Sequence, residues 1–308
     1  MKILITGGAG FLGSALANRL VAQDHMVRVL DNLRSGERER LDPRVAFVAG
    51  DVRDVPKLWS LLRGVDCVYH LAALVSVPES ILYPVDYNDV NVGGTVSLLT
   101  AVRDAQVGCL LFASSGAVYG EQQEQPVGED ALLHPTTPYA VSKMASEHYV
   151  QAIGKLWGFK TVILRVFNVY GPGQPLPPSH ASVIPRFLKQ AATGGSVVIF
   201  GSGRQSRDFC YISDVVEALV SAGQMEGLGH SAFNVGSGVE VSINGLVDAI
   251  ERVTGQPVHR LHNGEETGGI SRLVADISLA REKLGFVPQV PLEEGLRRML
   301  KEDPRFLH

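Results

Sequence analysis

The chain has 308 residues, 45% of them hydrophobic and 19% charged, an ordinary globular composition with enough length to bury one large core or two modest ones. A formal net charge of −4 excludes the basic field that nucleic acid or an anionic membrane would require, so any anion must be held by local groups. Cys67, Cys109 and Cys210 are odd in number and widely spaced, and they read as small buried hydrophobes of a reducing compartment, with no structural disulfide or metal site.

The opening MKILITG enters a strand pattern directly, without a charged leader or cleavage site, and no later stretch reaches membrane-spanning length; the expected location is the cytoplasm. Gly7, Gly10 and Gly13 in TGGAGFLGS fall where that strand ends and a helix begins, with Leu12, Leu16, Leu20 and Val21 on one helical face. In this context the glycines permit a tight turn and close approach to a pyrophosphate, whose charge the helix N-terminus favours. The second strand, MVRVLD, ends at Asp31, about twenty residues on, where a carboxylate accepts from ribose hydroxyls and repels a 2′-phosphate. NAD is therefore expected over NADP, although Arg34 close by keeps the second option open.

Further apolar runs follow, VAFVAG, DCVYHLA, CLLFASS and TVILRV, with helical patterns around Lys57 to Leu62 and Val92 to Ala105. Continuous apolar strands alternating with helices predict an α/β fold, a doubly wound parallel sheet with right-handed crossovers. From Asn168 the rhythm changes, because GPGQPLPPSH is dense in proline and glycine. Residues 1–167 are thus expected to form the dinucleotide-binding domain and 168–308 a smaller, mixed substrate region, with a segment near 232–256 returning to the main sheet.

Tyr139 and Lys143 in TPYAVSK are four apart at the start of a helical pattern, on one face. A phenol is a poor base at neutral pH, but an adjacent ammonium and a bound cationic nicotinamide would both favour phenolate. Ser114 and Ser115 end the strand CLLFASS, the edge at which open sheets of this class bind ligands.

TGGAGFLGS, DNLRSG, GDVRD, HLAA, NVGGT, SSGAVYG, PYAVSK, RVFNVYGPG and RQSRDFCYISDV occur in the order found in extended short-chain dehydrogenases/reductases, and the chain resembles that family's epimerase/dehydratase group over its whole length. The resemblance implies Tyr139 as catalytic acid/base, Lys143 as its pKa-lowering partner and Ser115 as a bridge to the sugar hydroxyl. It implies that Phe11, Leu12, Asp51, Val52, Leu71, Ala72 and Ala73 line the cofactor together with Asn91 and Ser114. Asn32, Leu33, Arg34, Ser35 and Gly36 would hold its adenosine end and Phe167 its nicotinamide end. A nucleotide-sugar substrate, expected to be a UDP-hexose, would be held by Ser115, Tyr139, Asn168, Arg207, Arg272 and Asp276.

Relatives carry a diphosphate-binding arginine ten residues before Asp276, where this chain has Glu266; Arg272, near Ala275 and Asp276, is offered as a substitute. Leu273 stands where relatives limit bulk at the sugar. Sugar dehydratases of the family place an Asp-Glu pair after the Ser115 position and related decarboxylases use a glutamate there, whereas this chain has Gly116 and Ala117. A UDP-sugar 4-epimerase needs neither group, and its tightly bound NAD would oxidise carbon 4 and then reduce the 4-keto sugar. The alternatives are a UDP-glucuronate 4-epimerase, for which Arg186 in VIPRF is available although it reads first as a surface arginine, and a net NAD(P)-dependent oxidoreductase. Non-catalytic sensors of this fold commonly lack the tyrosine and lysine. The resemblance also implies a homodimer, with VNVGGTVSLLTAV apolar enough to form part of its interface, although a buried core helix explains that pattern equally well.

Overall fold

The computed structural model describes residues 1–177, 181–225, 227–264 and 269–306. KILIT forms β1 (Lys2–Thr6), in which Ile3, Leu4 and Ile5 are all buried because both faces of the strand are covered. Gly10 opens α1 (Phe11–Val21), followed by β2 (Met26–Asp31) and β3 (Ala46–Ala49). Asp54 caps α2 (Val55–Leu62) by accepting from the Lys57 amide, and β4 (Cys67–His70) follows. Next come α3 (Val77–Leu82), α4 (Pro84–Tyr87), a π-helical turn over Asn88–Gly93 and α5 (Gly94–Asp104). Then β5 (Cys109–Ser115) runs into a 3₁₀ turn, Gly116–Tyr119. Thr137 caps α6 (Pro138–Trp157), Pro138 sits in its first turn, and Gly158 ends it in the left-handed conformation.

The rest of the chain contains β6 (Lys160–Val166), β7 (Asn168–Tyr170), α7 (Val183–Ala192), β8 (Val197–Phe200), β9 (Ser206–Tyr211) and α8 (Ile212–Gln224). After these come β10 (Ser231–Val235), β11 (Glu240–Ser242), α9 (Ile243–Thr254), β12 (Arg260–Asn263) and β13 (Arg272–Leu273). The helices α10 (Ser278–Leu284) and α11 (Leu292–Glu302) complete it. Among the described residues no helix is long and apolar enough to cross a membrane.

Seven parallel strands form the main sheet in the order β10-β6-β5-β4-β1-β2-β3. The order reverses between β1 and β4, and the crevice beyond their carboxyl ends is where such a sheet takes a ligand. Leu16 and Leu20 of α1, Val215 and Leu219 of α8, and Leu284 of α10 pack on one face against Ile3, Ile5 and Val29. Leu58 of α2, Leu98 of α5 and Val150 of α6 cover the other, against Leu4, Leu30 and Val68. A separate small core joins α7, α9 and α11 through Phe187, Leu246 and Leu296 to β8 and β9.

The chain returns to the main sheet earlier, and more briefly, than composition predicts. α8 already lies on that sheet, and β10 extends it beside β6, with Ser231 opposite Val162 and Val235 opposite Val166. α9 instead turns its apolar stripe of Leu246, Val247 and Ile250 into the small core. Proline and glycine mark the excursion after Asn168, but only the pairing partner of an apolar run decides which core it enters.

Candidate active site

The loop after β1 is closed by backbone geometry that only glycine allows. Gly7 has φ +69°, and a Cβ there would lie 2.6 Å from the Ala72 amide nitrogen. At Gly13 it would collide with the Gly7 carbonyl and come 2.7 Å from Gly8 Cα. Gly10, at the N-cap of α1, offers no side-chain cap, so the first-turn amides at Phe11 and Leu12 are left for an anion. Asp31, 8% exposed, accepts from the Ala9 amide at 2.9 Å and the Leu33 amide at 2.8 Å, which fixes its carboxylate at the mouth of this loop. Asn32, Leu33, Arg34 and Ser35 are exposed on the loop beyond, Gly36 packs on the Ala9 backbone, and Glu37 closes the loop by donating its amide to Ala9 O. Arg34 turns toward Asp86, at 4.0 Å.

Asp51 accepts both arms of Arg53 and the Asn32 amide group, and the guanidinium pulls its carboxyl down to about 2. Val52 is buried against Gly94. Leu71, Ala72 and Ala73, half-buried, run out from β4 across the glycine loop. Asn91 ties this run to α6, because its side chain holds the Leu74 amide and carbonyl and donates to Ser142 Oγ at 2.9 Å. Ser114 Oγ is buried at the end of β5 with no hydrogen-bond partner among the described residues. A buried hydroxyl without a partner is costly. The glycine cradle, the free helix terminus and this orphaned hydroxyl fit a dinucleotide laid across the switch point.

Tyr139, Lys143 and Glu147 succeed one another along one face of α6. Lys143 is 4% exposed; its Nζ donates to Ala113 O at 2.8 Å and lies 4.9 Å from the Phe112 ring centre. Burial lowers the lysine to about 8, against the opposing pull of Glu147. Tyr139 packs edge-on to Tyr87, burial pushes its phenol above the usual value, and the Ser115 hydroxyl beside it acts in the opposite direction. Ser115 also accepts from the Ala117 amide. Tyr139 and Ser115 thus stand side by side, while Lys143, on the same face of α6, is turned to the β5 backbone at Ala113. Burial is the larger effect at Tyr139.

Beneath them lies His70, 1% exposed, between Thr6 Oγ1 at 2.7 Å and Thr95 Oγ1 at 2.9 Å. Thr95 spends its only proton on Asn91 O, so His70 must donate from Nε2 and accept from Thr6 at Nδ1. Burial, then the Lys143 ammonium, holds His70 down to about 3 from 6.5. The unfolded chain therefore binds the additional proton between those two values, and stability falls as pH falls from 6.5 toward 3. His70 should contribute about 1.4 kcal/mol per pH unit there. Urea unfolding from pH 4 to 6.5 checks this, since His70→Asn should show the shallower dependence; equal slopes would refute it.

Gly116 fits flat against Phe167, whose ring carbons would lie 3.1 Å from a Cβ at that position. Phe167 is 3% exposed and pinned by its amide to Val235 O. Gly116→Asp should displace the ring at a cost of roughly 1–3 kcal/mol. Calorimetry would register a lower melting temperature, and an unchanged one would mean that the ring moves freely.

On the opposite wall, β9 places Arg207 half-buried, its Nη1 on Ser206 O and its guanidinium in no ion pair among the described residues. Burial lowers its pKa against the pull of Glu121. Asn168 is exposed and donates to Asp208 O at 3.0 Å. Arg272 is held by both carboxylate oxygens of Glu240, and Asp276 accepts the Ser278 amide at the start of α10. Leu273 is buried beside Arg207 on the paired strand. Glu266 lies outside the described residues. Arg186, in the first turns of α7, is half-buried beside the Phe187 ring, and burial lowers its pKa.

Residues 3–236 match the NAD dependent epimerase/dehydratase family. The chain belongs to this family. Family members include the UDP-glucose 4-epimerase of Mycolicibacterium smegmatis, 38% identical over 98% of each chain. The crystal structure of UDP-glucose 4-epimerase from Thermotoga maritima with UDP-glucose superposes with a TM-score of 0.93, at 34% identity over 98% of each chain. A UDP-N-acetylglucosamine 4-epimerase from Methanobrevibacter ruminantium, in complex with UDP-N-acetylmuramic acid, gives 0.92 at 35% identity over 97% of each chain.

One buried network beside the site was not foreseen from the sequence. Arg165 of β6 is buried in contact with both oxygens of Glu147, and it donates to Tyr119 Oη at 2.8 Å and Glu129 O at 3.1 Å. Tyr119 in turn donates to Asn234 Oδ1 on β10. The signals were present: an arginine inside the apolar run TVILRV, and a glutamate four residues beyond Lys143.

Proposed function

We propose that the protein interconverts the two 4-epimers of a UDP-sugar, a neutral hexose or N-acetylhexosamine, through a transient 4-keto sugar. The observation that carries this reading is the Ser115–Tyr139 pair at the end of β5, with Lys143 anchored to Ala113, beside Gly116, which brings no further acid or base and packs against Phe167. NAD, the family's cofactor, supplies the oxidising and reducing partner for carbon 4 when bound. Tyr139 takes the proton of the 4-hydroxyl and returns it to the oxygen after the sugar has turned over, with Ser115 bridging the two. Lys143 anchors the catalytic face of α6 to Ala113 and adds positive charge beneath the site. Ser114, Asp31 and the glycine loop hold the dinucleotide.

Arg207 meets the substrate diphosphate, a role for which a half-buried cation without an ion pair among the described residues is suited, while Arg272 stays with Glu240. Asn168 contacts the sugar side. Residues 1–167 thereby serve the cofactor and most of 168–308 the substrate. A uronate substrate is the second reading, favoured by Arg186, a half-buried guanidinium whose pKa burial lowers. Ile81, Leu82, Tyr83 and Val85 of the α3–α4 segment, with Val141 and Tyr149 of α6, leave an exposed apolar surface fit for a homodimer in the cytoplasm.

Incubating the purified protein, without added cofactor, with UDP-glucose, UDP-N-acetylglucosamine and UDP-glucuronate separately, and following the anomeric proton signals, tests the reading. A 4-epimer from either of the first two supports it. A stoichiometric need for added NAD, or loss of water or carbon dioxide, overturns it.

A further inference from the structure

At the amino-terminal end of the sheet, remote from the catalytic edge, Cys67 of β4 stands directly opposite Cys109 of β5 in parallel register. Partners in register point to the same face, here the face covered by α8, and neighbouring strands bring their Cα atoms to about 4.8 Å. That spacing lies within the range a disulfide spans without backbone movement. Both are free thiols. Cys109 is the half-buried member and Cys67 is 1% exposed, so an oxidant from solvent meets Cys109 first.

The charges around the pair are unequal. Lys160, opposite Cys109 on β6, and the hydrogen bond from Cys67 both favour thiolate at Cys109. Cys67, with Cys109 and burial against it, keeps its proton. Lys160 is held in place by the Ala222 and Met225 carbonyls at the end of α8. One reactive sulfur beside one protonated neighbour is the arrangement of a peroxidatic and a resolving cysteine. Cys210, on β9, is fully buried and belongs to neither role.

We propose that Cys67 and Cys109 form a redox-active dithiol, oxidised by peroxide to a reversible cross-strand disulfide. The Cys109 thiolate attacks the peroxide oxygen, giving a sulfenic acid and releasing hydroxide. Cys67 sulfur then displaces the second oxygen, its proton leaving with that oxygen as water. Two thiols and one hydrogen peroxide thus yield one disulfide and two waters, and the two electrons go to the peroxide. The bond closes the crossover that contains α3, α4 and α5, the stretch carrying Asn91 and the exposed apolar surface.

The test is to treat the folded full-length protein with hydrogen peroxide, then unfold it, alkylate with N-ethylmaleimide and measure intact and peptide masses. Alkylatable thiols should fall from three to one, with a linked pair of peptides containing Cys67 and Cys109 and the loss of two hydrogens. Dithiothreitol should restore all three in the same protein, a readout that needs no variant. Cys67→Ser should leave a sulfenic acid at Cys109 that dimedone traps, and Cys109→Ser should abolish the link. Three thiols remaining, overoxidation of Cys109 without a link, or a link between two chains would each overturn the proposal.

Discussion

Tyr139→Phe should lower kcat by about 10³-fold while leaving bound NAD and the melting temperature close to those of the unaltered protein. A positioned acid/base contributes typically 10²–10⁴ in rate, and the phenol of Tyr139, buried beside Ser115, is the group placed to exchange a proton with the sugar hydroxyl. Phenylalanine keeps the ring, so the edge-on packing against Tyr87 survives and the fold loses only the contact with Ser115. Ser115→Ala should give a smaller loss, about tenfold, because the tyrosine can still approach the substrate directly. A coupled assay of epimer formation, with bound NAD measured by absorbance after denaturation, separates these effects. Activity of Tyr139→Phe within tenfold of the unaltered protein would remove Tyr139 from the catalytic role.

The sheet and its cofactor edge were legible because each depends on local pattern. Apolar runs such as KILIT and CLLFASS announce strands covered on both faces, and Gly7 and Gly13 are required by contacts within a few residues or with the neighbouring strand end. The placement of Tyr139 and Lys143 on one face of α6 was legible because four residues on a helix is a fixed geometry. What was not legible depends on partners distant in sequence. The orientation of Lys143 toward Ala113 is set by the depth at which α6 packs on β5, and no spacing along the chain encodes that depth. Arg272 was offered to the diphosphate, but its partner Glu240 arrives on β11, brought there by β9 pairing between the two strands. The same holds for α8, whose place on the main sheet depends on the core its apolar face meets.

Glu147→Gln should destabilise the protein by about 3–5 kcal/mol, because it leaves Arg165 charged and uncompensated where its side chain is only 6% exposed. Removing both charges, as Glu147→Leu with Arg165→Met, should recover most of that loss, since a buried ion pair is often no more stable than an apolar pair of similar volume. The recovery will be incomplete to the extent that Tyr119 Oη and Glu129 O lose the donor they share in Arg165. Chemical unfolding of Glu147→Leu, Arg165→Met and the double variant gives the coupling energy, and a double variant no more stable than Glu147→Gln would show that the network, and not the ion pair, holds the helix. The substitution also reaches the active site. Glu147 opposes the burial that brings Lys143 to about 8, so its neutralisation should lower Lys143 further. If the ammonium supports the acid/base step, the alkaline limb of kcat against pH should move to lower pH in Glu147→Gln. A merely structural glutamate would change the stability and leave that limb in place.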